Sequence, residues 1–494
     1  MEEILLKVKG NMMGVFPTNR KIIRLLSPIT TFQRREGGGG GKVTLVEQPL
    51  HQISEDGIFE TLAGLEKRIV LRLQNSNYRV CIQRLLQKKL KCNLDLLNAE
   101  DMADLDDRND QVNVLGLVVD EPGGFIVNCP TGWGKSYIIT KICKVLPQAK
   151  IAVVAPGIDV TESLYKQLKR QIRDVGRVGD GYRDIRRITV STMESVERLK
   201  KVDWDLLLFD EVHRAGGPAI ANNLSEVFHT AKCVGFSASP TGRTDNADLV
   251  VEALFGKVAY KVDYAEAEAS GSVVPIRALM FGSDYGPVFK AYTPPVTRNR
   301  YGLWRNGDRN ELIAEIAKQI PDDDQTLIMV ATADHALQLI KLLPDYKVVF
   351  SQVSNKKSLQ DIDVTMIPGL QFNGQFDKKY RNYLTSQFEK GVLKKAIATG
   401  VWNTGVDFKQ LGYLIRAEGL SSDIQSIQTP GRLSRTFDGK EYGVLIDFID
   451  TFDPVLLNRS NKRRRAYVKT GWDVQEIPSP GPTDIAGIFA GGSK

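Results

Sequence analysis

The sequence predicts an α/β chain: two parallel-sheet domains in tandem, preceded by a small N-terminal accessory domain. Three observations carry that expectation. The chain has 494 residues, more than one hydrophobic core normally serves. From about residue 99 onward, short, wholly apolar runs alternate with stretches of helical spacing, the pattern of strands buried on both faces by helices. A glycine-rich turn at 129–136 joins one such run to one such helix.

Residues 1–98 are expected to form the accessory domain. The five-glycine run at 37–41 reads as a loop between strands or a hinge, and apolar spacing over 62–90 predicts one or two helices. The first α/β domain is expected over 99–285. Its strands are predicted at 124–127, 151–154, 188–191, 206–209 and 233–236, with a helix through Ile138, Ile139 and Ile142. The stretch 285–306, rich in Gly, Pro and Arg, reads as a linker. The second α/β domain is expected over 300–475, with strands at 326–330, 346–350, 395–398, 413–416 and 443–446. Pro478, Pro480 and Pro482 mark 476–494 as an extended or disordered tail.

Composition narrows the class. Hydrophobic residues make up 42% and charged residues 25% of the chain, values ordinary for soluble globular protein. A net charge of +7 fits a polyanionic partner and equally fits an ordinary basic protein. The five cysteines show no Cys-x-x-Cys spacing and there are four histidines, which argues against zinc and for reduced thiols inside a cell. No apolar run approaches the roughly 20 residues of a membrane span, and Met1-Glu2-Glu3 is not the basic start of a secretory signal, so a cytoplasmic protein is expected.

The chemistry lies in three segments. Cys129-Pro130-Thr131-Gly132-Trp133-Gly134-Lys135-Ser136 follows a strand and opens a helix. Gly132 and Gly134 allow backbone N–H groups to turn onto phosphate oxygens at the positive end of that helix. Thr131 lies in the same cradle, Lys135 is placed for the β- and γ-phosphates, and the Ser136 hydroxyl for Mg²⁺. The general pattern has Gly where Cys129 stands. Asp210 and Glu211 close the 206–209 run. Asp210 is expected to hold Mg²⁺ through its water shell and Glu211 to polarise the attacking water; the alternative is an acidic helix cap. In the second domain, Gln428-x-x-Gly431-Arg432-x-x-Arg435 places two guanidiniums one helical turn apart. They suit the charge spread over a transferring phosphoryl group, and ATP is expected where the two domains meet; a solvated basic face is the other reading.

This set resembles superfamily 2 helicases and translocases of the DExH group, over about residues 105–450. The resemblance implies two RecA-like domains, ATP and Mg²⁺. Phe236-Ser237-Ala238-Ser239-Pro240-Thr241 is similar to the family's Ser-Ala-Thr motif, which implies that Ser237 and Ser239 couple hydrolysis to strand movement. Ala398-Thr399-Gly400 with Asn403-Thr404-Gly405-Val406-Asp407 resembles motif V, placing Gly405 and Asp407 near nucleotide and Thr399 near nucleic acid. Val154-Ala155-Pro156 and Val190-Ser191-Thr192 resemble the backbone grips of the first motor domain, and 326–332 their counterpart, implicating Pro156, Ser191, Thr192 and Thr332. Leu105-x-x-Arg108-x-x-Gln111 resembles the glutamine element that reads adenine, with Asp110 in place of the usual Tyr.

A narrower likeness is to bacteriophage UvsW-type branch-migration helicases and XPB-like relatives. It rests on Pro240–Asp245, Ala253–Gly256, Gly271–Pro275, Asp447-Phe448-Ile449-Asp450 and the segment 463–471. It implies a DNA helicase or translocase acting on forked, branched or recombination DNA, in a bacterial or phage-infected cell, with DNA contacts from residues 1–98. An RNA helicase and the motor subunit of a nuclease or defence system remain the alternatives. The cluster Asn461-Lys462-Arg463-Arg464-Arg465 reads either as a nucleic-acid contact or as a solvated helix face, and Trp133 and Trp402 as packing residues rather than base wedges.

Overall fold

Alternation builds the N-terminal accessory sheet. Along β1 (Glu3–Lys9), Ile4, Leu6 and Val8 are buried while their neighbours face outward. β2 (Met12–Phe16) repeats the pattern with Met13 and Val15. These strands join β5 (His51–Ile53), β6 (Phe59–Leu62) and β7 (Arg79–Leu85) in the order β5-β6-β2-β1-β7. Helices α1 (Arg20–Leu26) and α2 (Glu66–Gln74) cover it through Ile22, Leu26, Ile69 and Leu73. A separate hairpin, β3 (Thr31–Gly37) with β4 (Val43–Pro49), flanks the glycine run. The expectation of helix across 62–90 holds only for α2. Asn77 turns the chain at φ 61°, and the Val80-Cys81-Ile82 segment then pairs in parallel with β1.

The computed structural model describes residues 2–37, 43–85, 88–107, 111–239, 247–354, 359, 365, 367–402, 406, 408–420, 427 and 429–478. The chain divides into two units, 1–270 and 271–494.

The rest of the first unit is a mostly parallel sheet. Its strands are β8 (Phe125–Asn128), β9 (Ile151–Ala155), β10 (Val175–Gly179), β11 (Tyr182–Asp184), β12 (Ile188–Thr192), β13 (Leu206–Asp210), β14 (Lys232–Ser237) and β15 (Val258–Lys261). They lie in the order β11-β10-β12-β9-β13-β14-β8-β15, and all but β11 run parallel to their neighbours. Helices α3 (Ala99–Asp107), α4 (Val112–Asp120), α5 (Lys135–Val145), α6 (Ile158–Gln171), α7 (Pro218–Val227), α8 (Asp248–Phe255) and α9 (Tyr264–Ala269) connect or cover the strands. β9, β12 and β13 are buried at every position; β9 and most of β13 therefore read as apolar runs, while β12 buries Thr189, Ser191 and Thr192 as well.

The second unit holds seven parallel strands in the order β18-β19-β17-β20-β21-β16-β22. They are β16 (Ile276–Ser283), β17 (Gln325–Met329), β18 (Lys347–Val349), β19 (Lys395–Ala398), β20 (Leu411–Arg416), β21 (Gly443–Asp450) and β22 (Asp473–Ile477). β16 falls within the 99–285 segment expected for the first α/β domain, yet it pairs with β21 and β22 of the second sheet. The stretch read as a linker is structured too: α10 (Pro295–Asn299) and a π-helical turn (Arg300–Trp304) lead into α11 (Gly307–Lys318). α12 (Ala333–Leu342), α13 (Lys378–Glu389) and the helix Pro454–Thr470 complete the unit.

Two buried ion pairs tie the second sheet to its helices, and a third joins two helix ends. Asp447 accepts two hydrogen bonds from Arg463 at 2.8 and 2.9 Å, Asp450 one from Arg309 at 2.7 Å, and Asp453 one from Arg298 at 3.2 Å. Arg463 and Asp447 are both fully enclosed, so Arg463 is neither a nucleic-acid contact nor part of a solvated face. At such a depth a carboxylate is best satisfied by a fork of N–H donors, which Arg463 supplies to Asp447.

Candidate functional site

The parallel register carries the candidate residues of the first unit to one rim of its sheet. Asn128 ends β8 level with Ser237 of β14, and Asp210 ends β13 level with Phe236. β14 separates the other two strands, so the loop after β8 and the acidic pair after β13 lie about 10 Å apart across two strand spacings. Gly132 (φ +94°) and Gly134 (φ +106°) adopt left-handed backbone that a side chain would strain. Gly134 caps α5, and Lys135 and Ser136 occupy its first turn, so N–H groups and the helix dipole aim at the loop's interior.

Behind the loop, Gln111 is fully buried and its Nε2 donates to the Trp133 carbonyl at 2.7 Å. Its Oε1 is buried without a hydrogen-bond partner, an acceptor left available next to the loop. Arg108 lies outside the described residues. Burial pushes the Cys129 thiol up to about 12, with Lys135 opposing, so it stays protonated and acts as a small packing residue.

Lys135 Nζ sits 3.8 Å from Glu211 Oε1. Glu211 occupies the left-handed region at φ 56°, and its N–H donates to Asp210 Oδ1 at 3.1 Å. Burial, then the neighbouring Glu211 charge, raises the Asp210 pKa while Lys135 lowers it. The Asp210 carboxylate is 6% exposed and forms no ion pair among the described residues. Ser136 and Asp210 therefore fit the hydroxyl and carboxylate that a phosphate-bound Mg²⁺ takes from protein. No group of three or more His, Cys, Asp or Glu suited to a metal occurs among the described residues, so an all-protein cage is not the form of this site.

Ser237 links the acidic pair to the neighbouring strand. Its hydroxyl donates to Glu211 Oε2 at 3.4 Å and lies 3.0 Å from His213 Nδ1, which is itself 3.4 Å from Glu211 Oε2. The Ser239 N–H donates to Ser237 Oγ at 3.1 Å. Sequence reasoning missed His213; its place three residues after Asp210 was the available signal. The positions read as backbone grips lie on the same rim but mostly inward. Pro156, Ser191 and Thr192 are buried, Ser191 Oγ donates to the Thr192 carbonyl at 3.0 Å, and Thr192 Oγ1 donates to Ser195 Oγ at 3.1 Å.

In the second unit Arg432 lies in a short 3₁₀ helix, Pro430–Ser434, and Arg435 follows it with extended backbone. The two arginines are therefore not on one face of an α-helix; Pro430 and the brevity of the turn prevent it. Arg432 Nη1 donates to the Trp402 carbonyl at 2.7 Å, and its guanidinium lies over the Phe408 ring. Burial holds the Arg435 pKa down to about 10 against Glu389, so the side chain keeps its charge at neutral pH. Trp402 packs against Phe388 and Phe408, and Trp133 is fully buried, so both are packing residues. Thr399 is buried, and the Thr332 hydroxyl caps α12 by accepting from the His335 N–H at 3.2 Å. Gly405, Asp407 and Gln428 lie outside the described residues. A cleft of about 420 Å³ elsewhere in the first unit, lined by Gly10, Gly64, Lys88 and Lys232 among others, involves none of the candidate residues.

Residues 82–242 match the family described as type III restriction enzyme, res subunit, a span that takes in the glycine loop, the acidic pair and Ser237. The ATP-dependent DNA helicase uvsW of Enterobacteria phage T4 is 23% identical over 66% of this chain, and the chain spans 65% of that relative's length. The DNA 3'-5' translocase XPB2 of Sulfurisphaera tokodaii is 24% identical over 72% of this chain and 84% of its own. Among solved structures, Dbp5 of S. cerevisiae bound to RNA and ADP BeF3 aligns with a TM-score of 0.54 at 14% identity, covering 81% of this chain and 99% of that one. A fragment of a putative HsdR subunit of a type I restriction enzyme from Vibrio vulnificus aligns at 0.53 and 15%, covering 91% and 92%. In sequence and in its α/β fold, the chain is similar to the superfamily 2 helicases.

Proposed function

We propose that the protein is an ATP-dependent DNA helicase or translocase that unwinds or branch-migrates forked, branched or recombination DNA. The observation that carries the reading is the rim of the first sheet. A glycine-cradled lysine, a buried carboxylate and a glutamate wired to Ser237 all stand there. The loop N–H groups and Thr131, with Lys135, hold the phosphates. Gln111 reads the adenine, together with Arg108. Ser136 and Asp210 hold Mg²⁺, which shields phosphate charge when bound. Glu211 orients and deprotonates the attacking water. Gln428, Arg432, Arg435, Gly405 and Asp407 supply the second unit's share. Arg432, tied to the Trp402 carbonyl, fixes the arginine turn to the 400–402 turn.

The Ser237–His213–Glu211 contacts are the path by which hydrolysis is felt beyond the nucleotide. Loss of the γ-phosphate changes what Glu211 faces, and Ser237 and Ser239 pass that change along β14. Pro156, Ser191, Thr192, Thr332 and Thr399 are the proposed contacts to one strand's backbone. Ser191 makes its contact through the local backbone, since its hydroxyl is already spent. The DNA preference is supported by the names of the relatives, and a role in DNA repair, recombination or replication in the cytoplasm goes with it. No helix among the described residues is long and apolar enough to cross a membrane. ATP hydrolysis measured side by side with single-stranded DNA, a four-way DNA junction and RNA tests the proposal. Stimulation by DNA, strongest with the junction, is expected; stimulation by RNA alone overturns it.

A further inference from the structure

Beyond the positions already assigned, the first sheet ends in a hairpin on the same rim. β10 and β11 pair antiparallel, with Asp180 (φ 49°) and Gly181 (φ +84°) forming the turn. β10 is the next strand after β12, so the turn stands beside Thr192, about one strand spacing away. A Cβ on Gly179 would fall 2.7 Å from Thr192 Oγ1 and 3.2 Å from Ser195 Oγ, so the hairpin is seated directly on that hydroxyl pair.

Arg177 of β10 is 5% exposed, and its Nε and Nη2 have no hydrogen-bond partner; the Asp180 carboxylate stands 3.6 Å from Nη2. Its guanidinium lies 4.3 Å from the centre of the Tyr182 ring. Tyr182 is itself 51% exposed, so a buried cation backs one side of a ring that remains open to solvent. A surface aromatic held in this way has lost the rotamer freedom that usually opposes binding. Within the hairpin Arg177 and Arg183 stand with Asp180 and Asp184, whereas Arg187, just before β12 at the other end of the sheet, bonds the Leu146 and Ala149 carbonyls. Asp184 is already engaged by Arg186.

We propose that Tyr182, backed by Arg177, is a stacking platform for one base of a single nucleic-acid strand lying along this rim, an inference that rests on the function proposed above. Every base offers a π-face, so the contact tolerates any sequence, as a translocating motor requires, and the cation behind the ring favours an electron-rich partner on its open face. The neighbouring hydroxyls and Arg183 suit the phosphate that precedes or follows such a base.

The test compares wild type, Tyr182→Ala and Tyr182→Trp for binding to oligothymidylate and oligouridylate by fluorescence polarisation at one salt concentration, with thermal unfolding as a check on folding. Tyr182→Ala is expected to weaken oligothymidylate binding on the order of tenfold. Tyr182→Trp is expected to retain it and to show quenching of the new indole when the oligonucleotide binds. Wild-type affinity in the alanine variant, or an unquenched indole in a binding-competent tryptophan variant, overturns the platform and leaves the proposed function standing. Wild type that binds neither oligonucleotide overturns the function itself. Tighter binding of oligouridylate that depends on Tyr182 keeps the platform and moves its occupant to RNA. If the alanine variant unfolds, the quenching result alone decides.

Discussion

At the scale of single residues, Lys135 gives the sharpest prediction. It opens α5 at the loop and lies 3.8 Å from Glu211, so removing it takes away the phosphate cation and leaves an acidic pocket. Lys135→Ala is expected to lower ATP turnover by more than about a hundredfold while oligonucleotide binding stays near wild type. Steady-state hydrolysis and binding assays check both halves, and full turnover in the variant refutes the phosphate-loop assignment. Arg435→Ala is expected to slow the hydrolytic step by about a thousandfold, with ATP affinity changed only a few-fold. Single-turnover kinetics beside equilibrium nucleotide binding separates the two, and an unchanged rate means Arg435 does not act on the phosphoryl group. These residues were legible because their chemistry demands a fixed spacing: glycine, lysine and hydroxyl in one turn, and two carboxylates at a strand end. Arg463 was not legible. Its partner Asp447 is 16 positions away, and no local pattern separates an arginine facing solvent from one facing a buried carboxylate.

At the scale of elements, α3 is clamped to α5 by one carboxylate. Lys141 and Lys144 both bond Asp101, the latter at 2.7 Å. Burial alone would raise the Asp101 pKa, but the two ammonium groups and the Asn98 backbone hold it down to about 2. A carboxylate with a depressed folded pKa stabilises fully above its unfolded value of 3.8 and loses that contribution as pH falls through about 2. Asp101→Asn is therefore expected to cost the first unit about 2 kcal/mol at neutral pH. The gap from wild type should narrow as pH drops from 4 toward 2. Urea unfolding of both proteins across that range checks it, and a gap independent of pH rules out the ionised clamp. The same scale shows which elements a sequence exposes. β9 and β13 are apolar at nearly every position and were readable at once. β10 was missed because Val175-Gly176-Arg177-Val178-Gly179 carries two glycines and a charge, and β22 because an edge strand keeps polar residues on its open side. β16 is apolar enough to read as a strand, but its partners β21 and β22 lie far along the chain, so its sheet could not be told from local pattern.

At the scale of the whole molecule, the accessory domain is built into the first unit rather than tethered to it. Ala253 of α8 belongs to the accessory core, Asn11 Nδ2 donates to the Ser225 carbonyl at 2.9 Å, and Lys67 pairs with Glu121 at 2.6 Å. Arg68 bonds both oxygens of Glu252. The backbones also approach closely at Gly64, where a Cβ would lie 2.2 Å from the Glu252 carbonyl oxygen and 2.4 Å from that of Ala253. Both obstacles are backbone, so they cannot swing aside as a side chain would, and any substitution pushes the 63–65 turn away from α8. Gly64→Val is expected to destabilise the docking by about 1–3 kcal/mol, the range of overpacked cores. Because the loss falls on one interface, amide protection in β1, β2 and β6 should drop while protection in β9, β12 and β13 persists. Gly123→Ala, where nothing lies within 4 Å of the added carbon, serves as the neutral comparison. Hydrogen exchange read by mass spectrometry distinguishes the outcomes. Loss of protection confined to the accessory strands fits a docked domain with its own core, uniform loss across both sheets means the first unit unfolds as one body, and no change means the 63–65 turn is not seated on α8.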